Sequence, residues 1–587
     1  MTLIKHVPGI LILFLCFSSC GSPKSADNFT SIEEVRDGVI GRIITQVTPE
    51  TLADLDETFI QNFITSDERK AFAENHWHFT VDRPAIVSVM RDKNQQTTPF
   101  WLHESGFVNT GQMVKNRNYE YEVWQKQVPA GEIRLGINGF DLHRPVYFVT
   151  IGPIENSDMP VITNVYPDRW RRIQMEKGAF TYNDWTELTI EEFPEEIEGH
   201  TLFTTIRGRA REAAIINSFR TTEYPSSNQP DQVVLTWSDN PATSQSIQWR
   251  TNTSITEAHV NYWKTDSGES DSRAAFASSI PIRDSYIYNE SVVNHWEVNI
   301  SGLTPQTKYN YQIICGNEKS AVYTFKTAPG KAVPFKFIFI GDTHNSAIVE
   351  QVMEKAYGDC PDAAFVVHSG DHVNTGLFRD QWDEYFYYMR NVFSYVSFVP
   401  ALGNHDSQDG LPPDLFKQLF MLPGDERNYT FAYSNARFFV LDSTGDTDSI
   451  AQWLEQELEK TTEPWRIAIT NFQPYWKDDS YPKIREKWSS LFDKYGVSLV
   501  LTGHVHQYFR SYPIYENEPR KSDEKGTIYV TSVAVGSREM EESSAKFNKL
   551  HVNTGALYQI IEIDNKQIYF VSKDLNGGII DEFRISK

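Results

Sequence analysis

The chain opens with Lys5, an unbroken apolar run, ILILFLCF at 10–17, and then the small residues Ser18 and Ser19 ahead of Cys20 and Gly21. The run is shorter than the ~20 residues a bilayer span needs and has the shape of an export signal. Residues 21–28 are a polar tether, and 29–75 predict weakly packed helices. From 76 to 155 the pattern changes to alternation: 78–81, 85–91, 119–125, 132–138 and 145–152 are short strands parted by turn residues. That spacing predicts a β-sandwich. Residues 156–229 are mixed and suggest no fold. A second strand set at 232–237, 246–251, 259–264, 295–300, 309–315 and 321–327 fills 230–330, and Ala328-Pro329-Gly330 closes it. Over 333–587 apolar strands alternate with helical stretches, an α/β pattern. The expected fold class is multidomain, with N-terminal β-sandwich regions followed by an α/β domain.

Composition narrows the picture. At 587 residues the chain exceeds a single core, and its net charge of -23 repels a phosphate backbone, so a nucleic-acid scaffold is not an expected partner. Four cysteines cannot build a dense disulfide framework. Cys16 would leave with the signal, and Cys315 and Cys360 read as buried free thiols. No stretch after Cys20 is apolar enough to span a membrane. Trp101 and Trp124 are candidates for a carbohydrate platform, although core packing is the commoner fate of such side chains.

The chemistry concentrates in the last domain. Five apolar strands each run into a short polar motif: FKFIFI into Gly341-Asp342-Thr343-His344, AAFVVHS into Gly370-Asp371, FVPAL into Gly403-Asn404-His405-Asp406, RIAIT into Asn471-Phe472-Gln473-Pro474, and SLVLT into Gly503-His504-Val505-His506. In an α/β sheet such loops meet at the carboxyl ends of the strands, where ligands bind. The gathered side chains are Asp, Asn and His, which offer oxygen and imidazole donors without thiolates. That set suits Zn, Mn or Fe in a hydrolytic centre.

The ordered motifs resemble the calcineurin-like metallophosphoesterase superfamily over 333–587. The stretches QVVLTWSDNPATSQSIQWRT, LTPQTKYNYQI and YTFKTAP resemble the fibronectin type III-like domain that precedes the catalytic domain of purple acid phosphatases. Phe17-Ser18-Ser19-Cys20 resembles a bacterial lipobox, with Phe17 where Leu is more usual.

These resemblances imply an αββα sandwich holding two divalent metal ions. Asp342, His344, Asp371 and His506 would bind the first, and Asp371 would bridge to a second held by Asn404 and His504. His405 would bind the phosphoryl group or protonate the leaving oxygen, and Asp406 would orient its loop. Two positions depart from the family. Asn374 stands where purple members carry the tyrosine that colours ferric iron, and its side chain is a candidate hydrogen-bond acceptor for His405. The fourth motif lacks its histidine: counting from Trp465 puts Asn471 at the ligand position, and counting back from Pro474 puts Phe472 there. Either Asn471 or Gln473 substitutes, or the second site is weak. Of the other histidines, His368 reads as packed, whereas His372 and His295 are candidates to face the pocket or catalytic face. Tyr475, Trp476 and Tyr508 are candidates to shape the cleft.

The implied function is an exported phosphoesterase acting on phosphate mono- or diesters of small molecules, nucleotides or glycans. Cys20 would anchor it by lipid to a bacterial envelope membrane, the outer membrane or cell surface rather than the inner one. The alternative is a surface glycan-binding lipoprotein with an inactive phosphatase domain.

Overall fold

The computed structural model describes residues 31–154, 157–167, 171–476, 481–521, 524–536 and 546–587. The export signal and Cys20 lie outside the described residues.

The first helix, Ile32–Gln46, starts at Ser31, whose hydroxyl accepts from the Glu34 amide while the Glu34 carboxylate returns the bond. Its Val35, Val39, Ile40 and Ile43 recur at helical spacing and turn inward. Weak packing was the expectation for 29–75, and the structure corrects it. Ile40, Ile43, Ile60 and Phe72 are fully buried, in one apolar core that runs from Ile32 to Ile215. The helices are short and their apolar stripes narrow, so only the sheet beneath them completes the core.

The same core removes the break expected at 155. An eight-stranded sheet runs Arg172–Gln174, Thr201–Phe203, Phe148–Pro153, Ala85–Asp92, Glu120–Val128, Val108–Asn116, Trp185–Glu192, Phe180–Tyr182. Its edges therefore come from the stretch to which the sequence suggested no fold. Ile162–Tyr166 likewise pairs with Trp77–Val81 in a three-stranded sheet. Trp101 and Trp124 are both buried, and the Trp101 indole donates to the Ile137 carbonyl at 2.7 Å. Neither offers a carbohydrate platform.

Residues 231–326 form two packed sheets around Trp249, Trp296 and Tyr311, with the two indoles stacked 6.3 Å apart. Cys315 and Cys360 are free and buried. His295 is buried on the face of this sandwich turned towards the last domain, opposite Arg250 and Ile280 in register, and not in the core around Trp249 and Trp296.

The last domain is a pair of facing sheets. One runs Ser397–Pro400, Phe365–His368, Phe335–Ile340, Leu557–Ile563, Gln567–Asp574, Ile579–Ser586, with its first three strands parallel. The other runs Tyr429–Tyr433, Ala436–Leu441, Trp465–Thr470, Leu499–Thr502, Ile528–Thr531, Tyr508–Ser511, Asn548–Val552. Alternation along Ala436–Leu441 shows the layering. Phe438 and Val440 join the core between the sheets, where the Phe438 ring lies 5.5 Å from that of Phe337. Phe439 and Leu441 face the other way, onto Leu454 and Leu458 of the helix Thr447–Lys460. Helix Ile348–Asp359 packs on the first sheet through Val349, Val352 and Met353. The result is the αββα sandwich.

Buried charge ties the modules together. The Asp383 carboxylate accepts from Arg250 at 2.8 Å, Arg379 at 2.9 Å, Thr222 at 2.8 Å and Gln232 at 2.8 Å. The buried Asp409 carboxylate, on the chain just after the Gly403-Asn404-His405-Asp406 motif, pairs with Arg144 and Arg211 of the N-terminal module. The Asp409 carbonyl also accepts from the Gly208 amide at 3.1 Å.

Candidate metal centre

The polar motifs meet at the carboxyl ends of the parallel strands, and their backbones are bent to do so. His344, Asp371, His504 and His506 all have left-handed φ, at 46°, 55°, 72° and 57°. Such angles cost of order 1–3 kcal/mol each in a residue other than glycine and persist where the surroundings impose them. Two glycines let backbone press against the carboxylates. A Cβ on Gly503 would lie 2.1 Å from an Asp342 oxygen, and one on Gly403 would lie 2.1 Å from an Asp371 oxygen.

Two groups of donor atoms converge. Asp342, His344 and His506 each offer an atom within 4.8 Å of the others, as do His344, Asp371 and His405. His344 Nε2 and His506 Nε2 are 2.7 Å apart, and His506 Nε2 is 3.1 Å from Asp342 Oδ2. Burial pushes the His344 imidazole down to about 4, which keeps it neutral with a free lone pair. Burial opposes ionisation of Asp342, yet its contacts with His506, with His344 and with the His504 amide outweigh that and hold the carboxyl below its ordinary range. The site thus presents an ionised carboxylate beside neutral imidazole, the protonation states metal ligands require.

The amide side chains supply the clearest sign of fit. Asn404 Oδ1 and Asn471 Oδ1 are both buried with no hydrogen-bond partner among the described residues. Buried oxygens are rarely left so unless something else satisfies them. Asn471 Nδ2 lies 3.4 Å from Asp342 Oδ1, which puts Asn471 at the centre. Phe472 is turned aside, with its ring 4.6 Å from that of His504. Gln473 Oε1 accepts from the Tyr475 amide at 2.6 Å and is occupied there. The residues fit two oxygen- and nitrogen-liganded cations.

Around them lies a supporting layer. Asp406, fully buried, accepts from the amides of Asp371, His372 and Gly403 and from His372 Nδ1. The His405 amide donates to Asp371 Oδ1 at 2.8 Å, and His405 Nδ1 donates to the Asn374 carbonyl at 2.7 Å. This corrects the expectation for Asn374. Its backbone, and not its side chain, receives His405; the side chain donates to the His344 carbonyl and Asn345 Oδ1.

Comparison with known proteins agrees with this geometry. Residues 335–508 match the calcineurin-like phosphoesterase family, and residues 230–327 match the purple acid phosphatase N-terminal domain. The chain joins a calcineurin-like phosphoesterase domain to a purple acid phosphatase N-terminal domain.

The chain is similar to a probable inactive purple acid phosphatase 24 of Arabidopsis thaliana, 28% identical over 39% of this chain and 44% of that one. A probable purple acid phosphatase 20 of the same plant is 27% identical over 48% of this chain and 69% of that one. The chain spans less than half the length of the former. A solved purple acid phosphatase from yellow lupin seeds superposes with a TM-score of 0.54, at 14% identity, over 87% of this chain and 93% of that one. That likeness is one of fold.

The remaining candidates of the phosphoesterase domain are packed. His368 Nε2 lies 3.1 Å from the Thr343 hydroxyl, and its ring stacks on His372 at 4.1 Å. His372 is fully buried behind Asp371. Tyr508 donates to Asp581 and Tyr475 to Asn517, while Trp476 is buried. Two residues carry no signal in the sequence, one at the centre and one at the join to the N-terminal module. Tyr481 follows no strand, yet its hydroxyl is 2.6 Å from His504 Nε2. Asp409 stands beyond the motif and is marked only by arginines distant in the chain.

Proposed function

We propose that the chain is a metal-dependent phosphoesterase that hydrolyses phosphate mono- or diesters of small molecules, nucleotides or glycans. The observation that carries this reading is the convergence of His344 with Asp342 and His506 on one side and with Asp371 and His405 on the other, together with two buried amide oxygens that have no partner among the described residues. Asp342, His344, Asp371 and His506 would hold one ion, and Asp371, Asn404, His504 and Asn471 would hold the other. When bound, Zn, Mn or Fe at these positions activates water and offsets the charge of the phosphoryl oxygens. The Asn374 carbonyl can only accept, so His405 Nδ1 carries a hydrogen and the other ring nitrogen is free to exchange a proton with the leaving oxygen. Asp406 holds the Asp371 and His405 loops in register.

Elemental analysis together with turnover of p-nitrophenyl phosphate and bis(p-nitrophenyl) phosphate tests the reading. Bound metal and hydrolysis of at least one ester, both lost in Asp371→Asn, are expected. Hydrolysis that survives Asp371→Asn undiminished would refute the assigned centre. We infer also that Cys20 is lipidated and anchors the exported protein to the envelope, on its resemblance to a lipobox. Cys20→Ala should move it from the membrane fraction to the soluble exported fraction; an unchanged distribution excludes the anchor.

A further inference from the structure

The second metal position lacks the histidine its family supplies, and the structure puts a different side chain there. Tyr481 reaches in from outside the five motifs. Its hydroxyl lies 2.6 Å from His504 Nε2, and its ring stacks on Phe472 at 4.5 Å with planes 15° apart. The same stacking holds Phe472 against the His504 ring. The backbone at Tyr481 is left-handed, φ 44°, a conformation a bulky residue rarely adopts. It is the same distortion seen at His344, Asp371, His504 and His506.

The contact has a close parallel at the first position. There His344 Nε2 and His506 Nε2 point at one spot and stand 2.7 Å apart. At the second position the converging pair is His504 Nε2 and the Tyr481 oxygen, and the Asn404 and Asn471 oxygens of the neighbouring motifs have no partner among the described residues. A phenol oxygen is a donor once its proton leaves, and as an anion it compensates for the weak amide of Asn471 better than a neutral group would.

We propose that Tyr481 is a ligand of the second metal ion, replacing the absent histidine through its phenolate oxygen, with the phenolic proton released to solvent as the ion binds. The proposal rests on the metal-dependent reading above and identifies the donor that completes it. It also implies a hard, oxygen-rich second site, suited to manganese or ferric iron over zinc.

Ferric iron is the probe. Chelator-treated full-length protein is loaded with ferric citrate, desalted, and examined for iron content and visible absorption. A phenolate bound to ferric iron absorbs in the visible. Asn374 occupies the place of the colour-giving tyrosine of purple relatives, so the band reports Tyr481. The expected result is a band in the unmodified protein, its loss in Tyr481→Phe, and at least ~10-fold weaker binding of one ion in that variant. Tyr481→His, which returns an imidazole, should keep two zinc ions and show no ferric band, and it serves if the phenylalanine variant does not fold. Two ions bound without a band, or equal affinity in Tyr481→Phe, would overturn the assignment of Tyr481 and leave the phosphoesterase reading standing. Failure of the unmodified protein to bind any ion would overturn both.

Discussion

Replacing Asp406 by Asn should loosen the metal centre without touching a ligand. Asp406 Oδ2 accepts three hydrogen bonds, from the Asp371 amide, the Gly403 amide and His372 Nδ1, each at 2.9 Å. Oδ1 accepts one, from the His372 amide at 3.0 Å. An asparagine has the same shape but a single acceptor. Its better orientation keeps the oxygen at the three-bond position and sets its NH₂ against the His372 amide. One charge-assisted bond is lost, at about 1.5–3 kcal/mol, and a buried donor is left unpaired, at about 1–3 kcal/mol. The remaining three bonds also lose the anion that strengthened them. A total near 3 kcal/mol falls on the backbone that carries Asp371, and part of it is relieved by letting that loop shift. Metal affinity should drop ~10–100-fold, the usual consequence of removing a partner behind the ligands. Isothermal titration of manganese into chelator-treated protein measures this, with circular dichroism to confirm that the variant is folded. A folded Asp406→Asn protein that binds manganese within about twofold of the original would refute the reasoning, because the four bonds would then not be holding the ligands.

Three further outcomes follow from the same structure. His405→Ala should retain its metal and lose ~10²–10⁴-fold in turnover, most on esters with poor leaving groups, read from paired metal analysis and kinetics; a matching loss of metal would reassign His405. Asp409→Ala leaves Arg144 and Arg211 without their shared carboxylate, at about 3 kcal/mol because Arg144 stays half exposed, and should hasten limited proteolysis between the N-terminal module and the rest; an unchanged digest counts against the latch. Stability should fall with pH, since burial holds His76 and His295 at about 4 against an ordinary 6.5, so both stay neutral in the fold while the unfolded chain takes up protons. Their contribution is present above pH 6.5 and disappears as pH falls towards 4, about 2 kcal/mol for each between pH 7 and 5. Equal urea midpoints at pH 7 and 5 would contradict this.

What the sequence disclosed follows from how local each signal is. A buried parallel strand is one apolar run, and the loop that follows carries its ligands within a few residues, so FKFIFI followed by Asp342 and His344 is readable without a structure. The helices over 32–74 were underestimated because their apolar stripes are narrow until the sheet is beneath them. Strands such as Thr201–Phe203 carry too few residues to show a period and are defined by their partners. The Asn374 contact was misread because a side-chain label says nothing of the carbonyl behind it. Tyr481 and Asp409 were invisible for a related reason. Each acts on residues far away in the chain, and neither lies in a motif whose spacing announces it.

The strand that delivers Asp342 has an unusual neighbour. Phe335–Ile340 is flanked on one side by Phe365–His368 and on the other by Leu557–Ile563, with Phe335 opposite Ile563. During synthesis the first motif therefore emerges long before the strand that secures it. Until the last segment is made, one edge of Phe335–Ile340 offers unpaired backbone to whatever is near. Assembly of the metal centre must then be a late event, completed by the final strands closing over the first, and such distant pairings form slowly. A premature stop that spares all five motifs but removes Leu557–Ile563 would leave every proposed ligand in the chain and no sheet able to hold them.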